Sequence, residues 1–167
     1  MGSGRTGPFV DAAGVIGRPY SDARLLWDDR NLYLTLYAAD HDIEARSKEH
    51  DGPLADDDSF TVRLAPLGAG APEAGAAAFL LVAAPNGAIA DAREAPGGAR
   101  DPGWESHAVV AVDADGTVNR PEDEDEEWIV EIALPWASLG VTPSPGLRLS
   151  ARFGRCDVPR GRSESVV

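Results

Sequence analysis

The stretch PEDEDEEWIVEIALPW, residues 121–136, carries the clearest strand pattern in this chain. Its second half alternates strictly, and one set of its side chains is entirely apolar: Trp128, Val130, Ile132, Leu134 and Trp136. Because successive side chains of a strand point to opposite faces, this alternation predicts a strand with one face in the core. Six consecutive acids, residues 122–127, precede that strand. They leave two alternatives, a set of metal ligands and a loop kept in water.

Similar short apolar or alternating runs recur along the whole chain. They are residues 23–27, 32–38, 59–65, 79–84, 88–92, 107–112, 128–134 and 147–153. Turn-forming residues separate them, among them the Asn86-Gly87 pair that favours a tight turn. No stretch carries an amphipathic helix of several turns. About eight short strands at turn-marked spacing predict an all-β sandwich or barrel.

The charge balance excludes several classes of partner. The 167 residues carry a formal net charge of −13, whereas nucleic acids and anionic membrane surfaces need a basic footprint. No apolar run approaches the roughly 20 residues of a membrane span, and the beginning MGSGRTGPFVDAAG lacks the pattern of a signal peptide. The sequence therefore predicts neither nucleic-acid binding nor membrane insertion. It is compatible with a neutral ligand or a divalent cation.

The motifs of common catalytic sites are absent from the sequence. The three histidines, His41, His50 and His107, lack the spacing of a zinc motif such as HExxH. No GxSxG elbow, phosphate loop or CxxC pair occurs, and Cys156 is the single cysteine. We therefore expect a protein that is not an enzyme.

Acidic clusters recur at the ends of the predicted strands, and each has two interpretations. Calcium takes six to eight oxygen ligands from several loops, so a discontinuous calcium site leaves no simple motif. The alternative is a solvated loop in which water relieves the repulsion between carboxylates. The clusters are Asp28-Asp29, Asp40 with Asp42, Asp56-Asp57-Asp58 and the acids of 122–127.

The aromatic residues also divide into core and surface candidates. Trp128 and Trp136 lie on the apolar face of their strand, which favours the core. Trp27 precedes a polar turn on a strand with Leu25, which favours the core or its rim, whereas Trp104 follows a Gly/Pro-rich loop and is the stronger candidate for the surface. Tyr33 and Tyr37 share one face of the predicted hairpin and form either a shallow binding platform or a surface packed under a loop. An exposed ring of this kind stacks on the apolar face of a sugar.

Five stretches in register resemble the family-nine carbohydrate-binding modules and the wider group called DOMON-like. They are ARLLWDDRNLYLTLYAADHDI, LADDDSFTVRLAP, FLLVAAPNGAIADAR, GTVNRPEDEDEEWIVEIALPWASLG and LRLSARFGRCD. The resemblance implies a β-sandwich of two antiparallel sheets, of the jelly-roll or immunoglobulin-like kind, over residues 23–157. Residues 1–22 are then an N-terminal extension or an incomplete first strand, and residues 158–167 a polar tail. Because relatives continue through a final strand beyond SESVV, the resemblance also predicts a sandwich that lacks its last strand.

The same resemblance implies a non-catalytic domain that recognises an oligosaccharide or polysaccharide and holds a structural calcium ion. Members of the family are secreted, cell-surface or periplasmic bacterial domains that accompany polysaccharide-degrading enzymes. The candidate ligand-binding residues are Trp104, Trp27, Tyr33, Tyr37 and Arg155. The candidate calcium ligands are Asp40, Asp57, Asp58, Asp123 and Asp125.

Several sugar-binding positions of the family are replaced in this chain. Leu54 and Ala55 stand where members carry a tryptophan, and Thr61 stands where they carry a glutamate. The apolar run 80–83 replaces an arginine and an asparagine. These departures support an alternative function, a structural or protein-interaction sandwich that has lost sugar binding.

Overall fold

The residues that the structure describes form two antiparallel sheets of five strands each. The computed structural model describes residues 2–54, 56–67 and 77–158. Sheet 1 has the order β1-β2-β3-β9-β8, and sheet 2 has the order β10-β4-β5-β6-β7. The strands are β1 Gly2–Pro8, β2 Ser21–Trp27, β3 Asn31–Ala39, β4 Ser59–Leu67, β5 Ala78–Ala83, β6 Ile89–Glu94, β7 Arg100–Asp101, β8 Val109–Asp115, β9 Glu127–Pro135 and β10 Arg148–Cys156. The predicted all-β sandwich of two antiparallel sheets is confirmed.

Strand β9, which contains this alternating pattern, lies inside sheet 1 between β3 and β8. Leu34 of β3 pairs with Ile132 of β9, and Ile132 pairs with Val110 of β8. Since paired residues share a face, the alternating apolar residues of all three strands point into the same core. The long predicted strand is therefore central, where its apolar face finds partners on both sides.

The core fills the space between the two sheets. The Trp128 and Phe60 rings, one from each sheet, lie 4.8 Å apart between centroids. Both are fully buried, and Trp136 is also buried. The prediction that Trp128 and Trp136 belong to the core is confirmed.

Two strands are absent from the predicted set. Strand β1 has the sequence GSGRTGP, which shows no apolar alternation, and it is ordered by pairing with β2 from Gly2↔Trp27 to Pro8↔Asp22. Strand β7 has only two residues. Residues 2–8, which the sequence left as an extension or an incomplete strand, thus form the edge of sheet 1.

The end of the chain lies largely outside the described residues, since 159–167 of the predicted tail 158–167 are not among them. Within the described ranges, no helix has the length and apolar character needed to cross a membrane.

Candidate functional site

The acidic residues predicted as calcium ligands surround an irregular segment, residues 42–47, that belongs to no strand. Five successive backbone N–H groups of this segment donate to side-chain oxygens from distant parts of the chain. The pairs are Ile43 to Asp125 at 2.7 Å, Glu44 to Asp58 at 2.7 Å, Ala45 to Asn119 at 2.8 Å, and Arg46 and Ser47 to the two oxygens of Asp57 at 2.9 Å each. Buried N–H groups need acceptors, and here the side chains of three aspartates and of Asn119 take the place of a neighbouring strand.

Asp125 shows how closely these carboxylates fit. Its second oxygen accepts a hydrogen bond from the Thr117 N–H at 2.7 Å, and the residue is buried. A Cβ placed on Gly116, where φ is +153°, would lie 2.2 Å from Asp125 Oδ1. Only glycine fits at this position, and both oxygens of Asp125 are engaged by backbone groups.

Of the predicted calcium ligands, Asp40 and Asp58 come together, and Asp157 joins them. Each of the three offers an oxygen within 4.8 Å of the others. Asp57 and Asp125 hold the 42–47 segment, and Asp123 lies in the loop before β9, where its N–H donates to Arg120 O at 3.3 Å. The five predicted ligands are therefore not gathered around one point.

A guanidinium group already occupies the cationic position among these three carboxylates. Arg155 donates to Asp40 Oδ2 at 2.8 Å and also to Asp157, while Asp58 accepts backbone N–H groups on both oxygens. Calcium needs six to eight oxygens, and the donors around this cluster compete with an ion for the same oxygens. The residues thus fit Arg155 as their cation better than calcium, and calcium binding stays a prediction.

The neighbouring carboxylates and its burial change the pKa of Asp58. Burial, together with the neighbouring charges of Asp40 and Asp157, raises its pKa to about 7, against the hydrogen bonds from Glu44 and Val158 that lower it. The carboxyl group is therefore partly protonated near neutral pH.

Arg155, predicted as a ligand-binding residue, connects the two sheets. Its side chain is only 6% exposed, and one terminal nitrogen donates to Ser21 Oγ at 3.0 Å and to Ala39 O at 2.7 Å. Arg155 also borders a cleft of about 520 Å³ beside Phe9 and Phe153. Most N–H donors of the guanidinium group therefore bond to other groups of the protein and are not free to bond a ligand.

Tyr33 and Tyr37 lie half-buried on β3, and each hydroxyl is bonded to a carboxylate. Tyr33 donates to Asp28 Oδ2 at 3.0 Å, and Tyr37 donates to Glu127. The bond to Glu127, with burial, raises the pKa of Tyr37 to about 12. The two rings hold the ends of β3 in place and leave no hydroxyl without a partner.

Trp104 is half-buried and packs against the core. Its ring lies 4.9 Å from Phe79 between centroids, and it borders a pocket of about 310 Å³ with Arg93 and Ser138. Trp104, predicted as the stronger surface candidate, is thus less exposed than Trp27, and that prediction is wrong.

Trp27 borders the largest of these openings, a cleft of about 640 Å³ at one end of the sandwich. We call it the Trp27 cleft, and it is lined by Leu25, Trp27, Asp28, Asp29, Leu32, Trp136, Leu149, Ala151 and the loop 143–147. The Trp27 residue is 37% exposed, and its ring lies so close to Gly2 that a Cβ there would approach within 2.1 Å. The backbone of β1 therefore supports the indole from one side.

The turn between β2 and β3 places two carboxylates next to this indole. Asp28 accepts from the N–H groups of Arg30 and Asn31 at 2.8 Å each, bonds that lower its pKa. Trp136 Nε1 donates to the Asp28 carbonyl at 3.0 Å. Asp29 is exposed and makes no hydrogen bond or ion pair with the described residues. Asp28 thus stabilises the turn at the rim of the cleft, whereas the Asp29 carboxylate is available to accept hydrogen bonds from a ligand.

The sequence pointed to Trp27 but not to the rest of this cleft. The one signal of the cleft in the sequence is the pair Asp28-Asp29 directly after Trp27. This pattern predicts a turn or a calcium site and does not by itself indicate a cleft. The opposite wall, residues 143–147, comes from more than 100 positions later in the chain. Periodicity does not show which loop will face a turn across the end of a sandwich.

Comparison with known proteins adds information on the fold. No protein-family model matches the sequence, and no curated protein matches it. A solved structure, named a "putative carbohydrate-binding protein" from Bacteroides uniformis ATCC 8492, is similar with a TM-score of 0.61 and 14% identity. The match covers 84% of this chain and 64% of the Bacteroides chain, so the chain spans less than two thirds of that protein. At this identity the likeness shows the β-sandwich fold.

Proposed function

We propose that this domain binds a carbohydrate without chemical turnover, in the Trp27 cleft. The observation that carries the proposal is the partly exposed Trp27 indole, which is supported by β1 and lies beside the available carboxylate of Asp29. The apolar C–H face of a pyranose stacks on such a ring, and its hydroxyl groups donate to a carboxylate. The resemblance to family-nine modules and the fold shared with the Bacteroides protein support the same class of ligand.

The size and charge of the cleft favour a neutral oligosaccharide. A volume of about 640 Å³ lies in the roughly 300–1,000 Å³ range of small-molecule sites. The net charge of −13 and the two aspartates at the rim disfavour an acidic sugar. A neutral chain end that lies on Trp27, with hydroxyl groups directed at Asp29, satisfies both features.

Calorimetric titration with a panel of soluble neutral oligosaccharides tests this proposal. We expect saturable binding that weakens about tenfold or more in Trp27→Ala, because the stacking surface is lost. Asp29→Ala should weaken binding as well, since it removes an acceptor. The matched control is Leu26→Ala, an exposed neighbour in β2 that does not line the cleft. The proposal fails if the folded protein binds no sugar of the panel, or if Trp27→Ala binds as tightly as the parent.

The proposal extends to the setting in which the domain acts. The family resemblance favours a bacterial domain that acts outside the cytoplasm beside a polysaccharide-degrading enzyme, with calcium as a structural ion. Titration with calcium in parallel with the sugars tests the ion: a calcium-dependent rise in thermal stability would support it.

One observation favours the alternative function, a protein-interaction module. The connection between β1 and β2 exposes Val10, Val15 and Ile16 by 58%, 61% and 55%. A second copy of the chain is the first partner to test, by sedimentation of the parent and of Ile16→Lys. Concentration-dependent association that the substitution abolishes, together with no sugar binding, would favour this function over the first.

A further inference from the structure

A histidine and two carboxylates from three separate parts of the chain meet at the edge of sheet 2. They are His50 in the turn before β4, Asp91 in β6 and Glu105 in the segment between β7 and β8. Each offers one ligand atom, and these atoms all lie within 4.8 Å of one another. The Trp27 cleft has no residue in common with this group.

Asp91 is the buried member of this group, and one of its two carboxylate oxygens has no hydrogen-bond partner among the described residues. The residue is only 5% exposed. Its Oδ2 accepts from the Ser106 N–H at 3.1 Å, whereas its buried Oδ1 has no hydrogen-bond partner among the described residues. A buried charged oxygen without a partner is costly. An ion at this point would remove the cost.

The backbone around Asp91 holds the turn of His50 in place. The Asp51 N–H donates to Ile89 O at 3.0 Å, and Asp51 Oδ1 accepts from the Asp91 N–H at 3.0 Å. Asp51 Oδ2 lies 3.5 Å from His50 Nε2 and adds a third carboxylate beside the ring. These hydrogen bonds therefore join the turn to β6 without an ion.

The spacing of the side chains suits a small divalent ion. His50 Nε2 and Glu105 Oε2 are 3.0 Å apart and hydrogen-bonded, a contact that an ion between them would replace. Two ligands of a tetrahedral zinc ion, each at roughly 2.0–2.2 Å from the metal, lie roughly 3.3–3.6 Å apart, a few tenths of an ångström wider than this pair. His50 and Glu105 are about half exposed, so their side chains can adjust, while the buried Asp91 provides a fixed ligand.

The geometry points to a binding site for a divalent transition-metal ion formed by His50, Asp91 and Glu105, with Asp51 in reach as a further oxygen ligand. An imidazole nitrogen with carboxylate oxygens suits zinc and its neighbours, whereas calcium and magnesium prefer oxygen alone. The bound ion connects the turn at 49–52 to β6 and to the segment before β8. Its role is to stabilise this edge of sheet 2.

Titration of the full chain with zinc, followed by calorimetry and by thermal unfolding, tests the site. We expect one zinc ion per chain and a melting temperature that rises with free zinc. His50→Ala and Glu105→Gln should each weaken zinc binding about tenfold or more, because each removes one of few ligands. Cobalt in place of zinc should give the visible absorption of a low-coordinate site, and His50→Ala should lose that absorption.

Matched controls separate this site from adventitious binding by surface histidines and acids. His41→Ala and His107→Asn remove the other two histidines, and asparagine tolerates the left-handed backbone of residue 107, where φ is 52°. Both should bind zinc like the parent. The inference is overturned if zinc does not bind, if His50→Ala binds zinc as tightly as the parent, or if calcium binds as tightly as zinc.

Discussion

At the scale of single residues, the buried carboxylates act mainly as acceptors for backbone N–H groups. Asp57 and Asp125 each receive two such bonds. A carboxylate suits this role because both of its oxygens accept, whereas an amide has one oxygen and one donor nitrogen. Acids that a sequence presents as metal ligands are here part of the hydrogen bonding that orders a loop.

Replacing Asp125 with asparagine tests that role. One of the two N–H groups, of Ile43 or Thr117, would face an NH₂ group and lose its acceptor. We expect Asp125→Asn to lower the free energy of unfolding by about 1–3 kcal/mol, measured by urea denaturation. Glu124→Gln, an exposed neighbour in the same acidic run, should change it by less than about 0.5 kcal/mol. Equal effects of the two substitutions would contradict this assignment.

Asp58 makes a second prediction at this scale, on pH. Its pKa is about 7 in the folded protein against an ordinary value of 3.8, so the folded state holds the proton more tightly than the unfolded state. Its contribution to stability therefore falls as the pH rises from about 4 to about 7 and stays low above that. Asp58→Asn should remove this slope in denaturation curves recorded across that range.

The comparison variant for the pH experiment is Asp56→Asn, since Asp56 is an exposed neighbour of Asp58. It should retain the slope of the parent protein. If the difference in stability between the parent and Asp58→Asn is the same at every pH, the raised pKa of Asp58 is wrong.

At the scale of the elements, alternation identifies strands with one apolar face and fails for strands that carry no alternating apolar side chains. Strand β9 was predictable because each inward residue is large and apolar. Strand β1 was not, because its order comes from pairing with β2 and from Arg5, which bonds Tyr20 and Asp22. The two-residue β7 is set by its neighbour β6 and leaves no periodic signal.

The junction between β10 and sheet 1 depends on Arg155. Its guanidinium bonds Ser21, Ala39 and Asp40 across the sandwich, and Asp40 is also buried. Arg155→Ala leaves that carboxylate without its cation, so we expect a loss of about 3–5 kcal/mol in the free energy of unfolding. Arg148→Ala, an exposed position in the same strand, is the control and should cost little. Equal losses would mean that the charge pair does not hold the sheets together.

At the scale of the whole molecule, the fold was more predictable than the site because the two depend on different distances along the chain. A strand depends on a few adjacent residues, whereas the Trp27 cleft brings residue 27 to the loop 143–147. The sequence identified Trp27 and the acids as candidates, but it favoured Trp104 over Trp27 as the exposed tryptophan. The sequence did not show that the carboxylates of Asp57 and Asp125 accept hydrogen bonds from backbone N–H groups. An aspartate looks the same in a sequence whether it binds a metal ion or a backbone N–H.

The way in which the 42–47 segment is held has a consequence for hydrogen exchange. Its amides at positions 43–47 bond to side chains at 57, 58, 119 and 125, so no single neighbouring element releases them all. In native-state deuterium exchange, irregular segments usually open locally and exchange fast. These five amides should instead exchange about as slowly as those of β9, and only when the whole sandwich unfolds.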